Sequence, residues 1–153
     1  ILLIGYQNDK KIYFMETLED VGRKVTEFDS LGYVVDLHDQ AKMLQHTLKH
    51  PNSIRSFVDQ MKKYYFKQAL TQLSVDSLTK QLKLEDTPQI VRDRFKFMND
   101  VLIAGRNEEW MSNIIPMIHE DSSLIAVGAG HLIGPDGLIA KLRDRGYKVE
   151  PMR

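Results

Sequence analysis

The C-terminal segment constrains the fold most, because it places a glycine-rich turn between an apolar run and a helical pattern. Residues 123–127 form an apolar run with β-branched members, which is typical of a strand covered on both faces. The turn at 128–134 leads into a helix over 135–145, and residues 147–150 form a closing strand. This order of strand, crossover helix and strand places two parallel strands in one sheet. The sequence therefore predicts an α/β fold with a βαβ unit.

The N-terminal segment has the pattern of two strands joined by a turn. An apolar run at 1–4 and a largely apolar run at 11–15 flank a polar turn at 7–10, and the second strand ends at Glu16-Thr17. Residues 21–31 favour neither helix nor strand.

Helices dominate the predicted middle of the chain. Apolar residues recur there at three- and four-residue spacing, which is the pattern of helices with one buried stripe. Pro51 stops the first helix, and Thr87-Pro88 opens the last as an N-cap followed by proline. The predicted helices cover residues 36–50, 53–73, 75–84 and 87–117.

The composition excludes several classes of protein. The 153 residues include 21 basic and 21 acidic side chains, so the net charge is zero and supplies no field for nucleic acid or a membrane surface. No apolar run approaches the roughly 18 residues that span a bilayer. Because the chain contains no cysteine, disulfides, a thiolate nucleophile and a Cys-based zinc site are excluded. With 42% apolar residues, the chain can bury a core as one domain.

Three interpretations of the glycine-rich turn stay open on the residues alone. Gly128, Gly130 and Gly134 resemble a dinucleotide-binding fingerprint, and Glu150 lies near the expected position of a ribose-binding acid. Alternatively, the turn presents His131 at a strand end as a metal ligand or a base. The third interpretation is a tight glycine turn with an incidental histidine.

Other polar residues also have a functional and a structural interpretation. Glu16 ends an apolar strand, where a carboxylate is either solvated or points into a cleft. Arg106 either orients a substrate carboxylate or carbonyl, or pairs with a glutamate on its own helix. His46 and His50 have the spacing of helical metal ligands, but the preference of cations for helix C-termini explains them as well.

The C-terminal part of the chain resembles the TraB/GumN family, which includes the Tiki proteins. The resemblance runs from about residue 91 to 150 in order and spacing, and it includes a short N-terminal match to the family's strand that ends in Leu-Glu-Thr. The matching segments are YFMETLE at 13–19, RNEEW at 106–110, IAVGAGHL at 125–132 with Gly134, Gly137 and Leu138, and Leu142 with Gly146, Tyr147 and Val149.

This resemblance implies a fold similar to that of erythromycin esterase and the haem-binding ChaN proteins, and a divalent-metal-dependent hydrolase that acts on peptides. Family members carry two Gly-x-x-His motifs, a glutamate and an arginine. Gly128-x-x-His131 matches the second motif. By this resemblance Glu16 and His131 would ligate the metal. Arg106 would stabilise an oxyanion or hold a substrate carboxylate, and Asn107 would support Arg106. Such a ligand set favours manganese or cobalt over structural zinc.

The chain departs from the family pattern in one respect. It lacks the first Gly-x-x-His motif, since Gly5 is not followed by histidine three residues later. The start at Ile1 inside an apolar run, which is not an intact signal peptide, agrees with this departure. We therefore expect a single domain over 1–153 that is the C-terminal part of a larger TraB/GumN domain, with one histidine ligand outside the chain.

Two other functions and several further expectations follow. The second function is a non-catalytic protein of the same fold that binds peptide or haem, and the third is a nucleotide-binding domain. The resemblance implies the cell envelope or secretion as the location, with the cytosol as the alternative. The expected partner is a peptide substrate, without nucleic acid and without a membrane-spanning segment. An unpaired strand edge at 1–4 favours a homo-oligomer.

Overall fold

The computed structural model describes residues 7–30 and 36–152. Within these ranges every regular element is helical, so the predicted α/β fold is wrong. The α-helices, in chain order, are α1 (Leu18–Ser30), α2 (Leu37–Lys49), α3 (Ser53–Phe66), α4 (Val75–Gln81), α5 (Gln89–Asn99), α6 (Arg106–Glu120) and α7 (Leu138–Asp144). Short 3₁₀ turns lie at Leu70–Gln72, Leu84–Asp86 and Ala129–Leu132, and a π-helix, Asp100–Gly105, joins α5 to α6.

The segments predicted as strands have irregular backbone. Residues 11–15, 123–127 and 147–150 form no strand pairs with any described segment, and residues 1–4 lie outside the described ranges. An apolar run predicts burial, whereas a strand also needs a second segment at hydrogen-bonding distance. The pattern thus indicated which segments bury side chains but not whether their backbones pair.

Two contacts show what replaces the predicted sheet. Ile125 and Val127 pack against the core around α6, whereas Leu124, which precedes Ile125, is 81% exposed. The run is therefore covered on one face rather than two. In the closing segment, the guanidinium of Arg143 donates to the carbonyl oxygen of Val149 at 2.7 Å, so a side chain occupies an acceptor that a strand partner would use.

Helices α2 to α7 overlap the regions predicted as helical, with differences at their ends, whereas α1 covers most of residues 21–31, for which the sequence favoured neither helix nor strand. The helix predicted over 53–73 ends at Phe66, because Gln68 adopts a left-handed backbone with φ of 53°. Likewise α4 ends at Gln81, and Lys83 just after it has φ of 54°. Left-handed residues interrupt the i to i−4 hydrogen bonds of a helix, and periodicity does not report them.

Two small clusters of buried side chains form the core. The first consists of Trp110, Met111, Ile114 and Leu138, and the second of Leu70, Leu73 and Leu78. Leu132 packs against both clusters, so the turn Ala129–Leu132 lies between them. This placement holds the glycine-rich turn against α6 on one side and against the Leu70–Gln72 turn on the other.

Helices α1 and α2 are attached to this core by polar contacts. Lys24 of α1 is 5% exposed and forms an ion pair with Glu109 of α6. On α2, His46 Nε2 lies 2.9 Å from the carbonyl oxygen of Lys83, and His50 pairs with Asp86 at 3.4 Å. His46 and His50 therefore have separate structural partners. No described helix is long and apolar enough to span a bilayer.

Candidate functional site

One face of α6 forms the floor of the candidate site. Four of its residues at helical positions i, i+3, i+4 and i+7 are buried, namely Asn107, Trp110, Met111 and Ile114. Three of them are apolar and belong to the first core cluster. Asn107 is the polar member and is 0% exposed, so its amide must find hydrogen-bond partners inside the protein.

Asn107 binds the glycine-rich turn through both ends of its amide. Its Nδ2 donates to the carbonyl oxygen of His131 at 3.1 Å and to that of Asp136 at 2.7 Å. Its Oδ1 lies 2.7 Å from Nδ1 of the His131 ring. These three contacts fix both the backbone of the turn and the orientation of the imidazole.

The same contacts determine the tautomer of His131. Because Asn107 Nδ2 uses its two hydrogens on carbonyl oxygens, Oδ1 is the atom that faces the ring, and it can only accept. Nδ1 of His131 must therefore carry the proton. In the neutral ring, Nε2 then keeps a lone pair, which can bind a metal ion or accept a proton.

Burial favours this neutral ring. His131 is 8% exposed, and its burial lowers the pKa of the imidazole below the usual value. The positive charge of Arg106 lowers this pKa further, whereas the negative charge of Glu16 opposes the shift. At neutral pH, His131 is therefore an uncharged donor of a lone pair.

Glu16 and Arg106 form the second part of the site. Arg106 Nε donates to Glu16 Oε2 at 3.0 Å, and Arg106 Nη2 pairs with Glu16 Oε1, which makes the ion pair bidentate. Nη1 of the same guanidinium donates to the carbonyl oxygen of Leu102 at 3.3 Å. Both charged side chains are mostly buried, so the pair fixes the start of α6 against the segment that ends at Glu16.

Trp110 connects the two parts. Its ring lies 4.9 Å from the guanidinium carbon of Arg106 and 4.4 Å, between ring centroids, from His131. The indole Nε1 is buried and has no hydrogen-bond partner among the described residues. A buried donor of this kind is costly, so it is a candidate for binding an acceptor on a ligand.

Two glycines near the site are required by geometry. Gly134 has φ of 67°, and an added Cβ would lie 3.0 Å from the carbonyl oxygen of Leu73. At Gly137 an added Cβ would lie 2.6 Å from the backbone of Leu132. The predicted motif glycines Gly128 and Gly130 have no such restriction, since their nearest contacts are ordinary.

The structure does not support the interpretation of the turn as a dinucleotide-binding site. That fingerprint requires a strand before the glycines, and the described chain has none there. Glu150, the proposed ribose-binding acid, is exposed and pairs with Lys148 at 3.1 Å.

The structure brings the sequence-predicted residues together in two pairs. Glu16 pairs with Arg106, and Asn107 pairs with His131, while support of Arg106 by Asn107 stays a prediction. Sequence reasoning missed Trp110 and the close approach at Gly137. Trp110 follows Asn107 by three positions, a spacing that places both on one helix face and could have indicated their shared contact with the turn.

The donor atoms present fit a divalent metal ion at two positions. Nε2 of His131 has a free lone pair, and a Glu16 carboxylate bound by Arg106 retains further lone-pair directions. Metal-ligating histidines usually donate their other N–H to an acceptor, as Nδ1 does here to Asn107. No described group of His, Cys, Asp and Glu side chains brings three or more ligands together.

Comparison with known protein families finds a match over nearly the whole chain. The family model described as TraB/PrgY/gumN matches residues 4–151, which is nearly the whole chain and extends well beyond the C-terminal part that carried the resemblance. No curated protein and no solved structure matches.

Proposed function

The chain belongs to the TraB/PrgY/gumN family, and we propose that it acts in a divalent-metal-dependent hydrolase whose substrates are peptides. The observation that carries this proposal is the buried His131 ring, held by Asn107 so that Nε2 keeps its lone pair. A histidine that only fills space needs no fixed tautomer. A metal ligand or a base does.

Glu16 and His131 would hold the metal ion, together with a ligand from outside this chain. A bound divalent cation supplies Lewis acidity to a scissile carbonyl and lowers the pKa of a water molecule. Imidazole and carboxylate donors with open positions favour manganese or cobalt over structural zinc. The bidentate contacts with Arg106 support a role for Glu16 as a ligand, since they fix the position of its carboxylate.

Arg106 and Trp110 would bind the substrate. A guanidinium has five N–H groups, and three of those of Arg106 are used on Glu16 and Leu102. The remaining two can donate to a developing oxyanion or to a peptide carboxylate. The unpartnered indole N–H of Trp110 beside this guanidinium supplies a further donor for a peptide carbonyl.

A second candidate is a non-catalytic peptide-binding protein. Its support is the bidentate ion pair, because Arg106 neutralises the Glu16 carboxylate that a cation would need. In this case the arginine and the indole N–H bind peptide groups without hydrolysis. Haem binding rests on the family resemblance alone, as does a location in the cell envelope or outside the cell.

Metal titration tests the proposal. Calorimetric titration with Mn²⁺ and Co²⁺ is carried out on the native chain, on His131→Ala and on the matched control His119→Ala. His119 is an exposed histidine that hydrogen-bonds to Tyr147, so its removal also deletes an imidazole. We expect binding by the native chain and the control, and at least about tenfold weaker binding after loss of His131.

The outcomes separate the two candidates. Metal binding that survives His131→Ala contradicts the proposed ligand. Absence of metal binding, combined with fluorescence-detected peptide binding that Arg106→Ala abolishes, supports the non-catalytic protein instead. Peptide cleavage that depends on Mn²⁺ or Co²⁺, and that His131→Ala abolishes, supports the hydrolase.

A further inference from the structure

Helix α2 exposes its apolar face. Leu37, Leu44 and Leu48 lie within about 40° of arc when residues are placed at about 100° intervals around the helix axis. Their exposed fractions are 83%, 61% and 70%. None of the helix residues is buried. We name these three side chains the leucine stripe.

The polar face of the same helix is the one that contacts the protein. His46 lies about 180° from Leu37 by the same geometry, and its ring contacts the carbonyl oxygen of Lys83. His50, just after the helix, pairs with Asp86. Helices on a protein surface normally bury the apolar face. The orientation of α2 is therefore reversed, and the leucine stripe is left without cover among the described residues.

Helix α3 also exposes apolar side chains. Phe57, Met61 and Tyr64 pack against the second core cluster, so this helix is docked by its apolar side. Next to them around the helix, Ile54 and Tyr65 remain more than half exposed. The contacts with the core therefore leave part of the apolar surface of α3 exposed.

The segment formed by these two helices is positively charged. Residues 36–67, which we name the α2–α3 segment, contain six basic and three acidic side chains, for a net charge of +3. The rest of the chain has 15 basic and 18 acidic side chains, for a net charge of −3. Although the whole chain has zero net charge, its positive and negative charges are therefore unevenly distributed. The sequence-based exclusion of membrane surfaces does not hold for this segment.

Most of these basic groups are available to a partner. Lys42 pairs with Asp39 at 3.7 Å. The other five form no ion pair within the described structure, namely Lys49, Arg55, Lys62, Lys63 and Lys67. A segment that carries both uncompensated cations and exposed leucines matches a surface that offers anions next to hydrocarbon.

We infer that the α2–α3 segment binds the surface of an anionic lipid bilayer, with the leucine stripe inserted among the acyl chains. Lysine stems can lie along apolar surface while their ammonium groups reach lipid phosphates. A second copy of the chain fits less well, because a symmetric interface would place two segments of +3 charge against each other. This inference does not depend on the proposed hydrolase.

Vesicle flotation tests the inference on the full chain. The probes are vesicles of phosphatidylcholine alone and of phosphatidylcholine with phosphatidylglycerol. We expect partitioning to the anionic vesicles that weakens as salt is raised. The variant Leu44→Ser/Leu48→Ser should bind about tenfold more weakly or worse, and Lys62→Glu/Lys63→Glu should weaken binding by a similar factor.

Matched controls show whether vesicle binding depends on where the leucine or lysine is replaced or only on its loss from the chain. Leu124→Ser removes a leucine that is at least as exposed as Leu44 and Leu48 but lies outside the segment, and Lys148→Glu reverses an exposed lysine elsewhere. Both controls should bind like the native chain. Because the stripe is exposed, its variants should keep the native midpoint of thermal unfolding, which verifies folding.

Three outcomes would overturn the inference. The first is absence of binding to anionic vesicles. The second is equal binding by the native chain and the leucine variant. The third is a native dimer, measured by light scattering, that becomes a monomer in the leucine variant, since the stripe would then be covered by a second copy.

Discussion

The region around the candidate site and the α2–α3 segment contain similar amphipathic helices but use them in opposite ways. In α6 the apolar positions at three- and four-residue spacing are buried, down to 0% exposure at Ile114. In α2 the leucines at corresponding spacing are mostly exposed. Periodicity therefore locates an apolar stripe but does not indicate whether the same chain covers it.

The two regions also differ in how polar groups are used. Around the site, Asn107 is completely buried and hydrogen-bonded through both ends of its amide. In the α2–α3 segment, most charged groups lie on the surface and form no ion pair with another described residue. Substitutions in the first region should therefore change the stability of the fold, and those in the second should change binding to other surfaces.

The largest contrast should come from truncating one apolar residue in each region. We expect Ile114→Ala to lower the free energy of unfolding by about 3–4 kcal/mol, because it removes buried methyl groups and leaves a cavity. Leu44→Ala should change it by less than about 0.5 kcal/mol. Urea unfolding of both variants measures the difference. Equal effects would show that the leucine stripe is buried in solution, as the apolar face of α6 is.

The next effect should come from the buried amide. Asn107→Ala leaves the carbonyl oxygens of His131 and Asp136 without their donor, and we expect a loss of about 2–3 kcal/mol in the free energy of unfolding. The control is Asn113→Ala on the same helix, where the exposed amide makes one long contact of 3.5 Å to Met15. A control that destabilises as much as Asn107→Ala would contradict the assigned hydrogen bonds.

A pair of glycine substitutions should have opposite signs. Gly137→Ala places a Cβ against the backbone of Leu132 and should destabilise the protein by about 1–3 kcal/mol. Gly22→Ala on α1 has open space around the new Cβ and should stabilise the protein by about 0.5–1 kcal/mol. Thermal unfolding of the two variants measures both. The turn would be more open than described if Gly137→Ala had no effect.

The smallest effect should be a dependence of stability on pH in the metal-free protein. Because the folded chain lowers the pKa of His131, the unfolded chain takes up a proton more readily as the pH falls through 6.5. The contribution of a neutral His131 to the free energy of unfolding is complete above pH 6.5 and decreases on acidification. The free energy of unfolding between pH 8 and 5.5 should therefore fall less in His131→Gln than in the native protein. Equal slopes would refute the lowered pKa.

The sequence predicted the helices better than the fold. Three- and four-residue spacing located α2, α3 and α5 because it depends on local geometry alone. The sheet depended on pairing between distant segments, and the run at 123–127 instead covers α6 with alternate side chains. The apolar residues of a segment that contacts the core on one side resemble those of a strand that is covered on both faces.

The candidate site was predictable in its residues but not in their pairing. The resemblance singled out Glu16, Arg106, Asn107 and His131, yet it assigned Asn107 to Arg106. Neighbours in sequence diverge by about 100° on a helix, so Asn107 points with Trp110 toward the core. The acceptors that the buried amide of Asn107 contacts depend on the glycine-rich turn that packs over α6.

The most direct test of this account is the tautomer of His131, measured by long-range ¹H–¹⁵N NMR on histidine-labelled, metal-free protein at pH 8. The spectrum of His131→Gln assigns the signals. The account predicts a proton on Nδ1 and a lone pair on Nε2, as the contact with Asn107 requires. A proton on Nε2 would contradict it, because His131 would then have no free lone pair for a metal ion or a substrate proton.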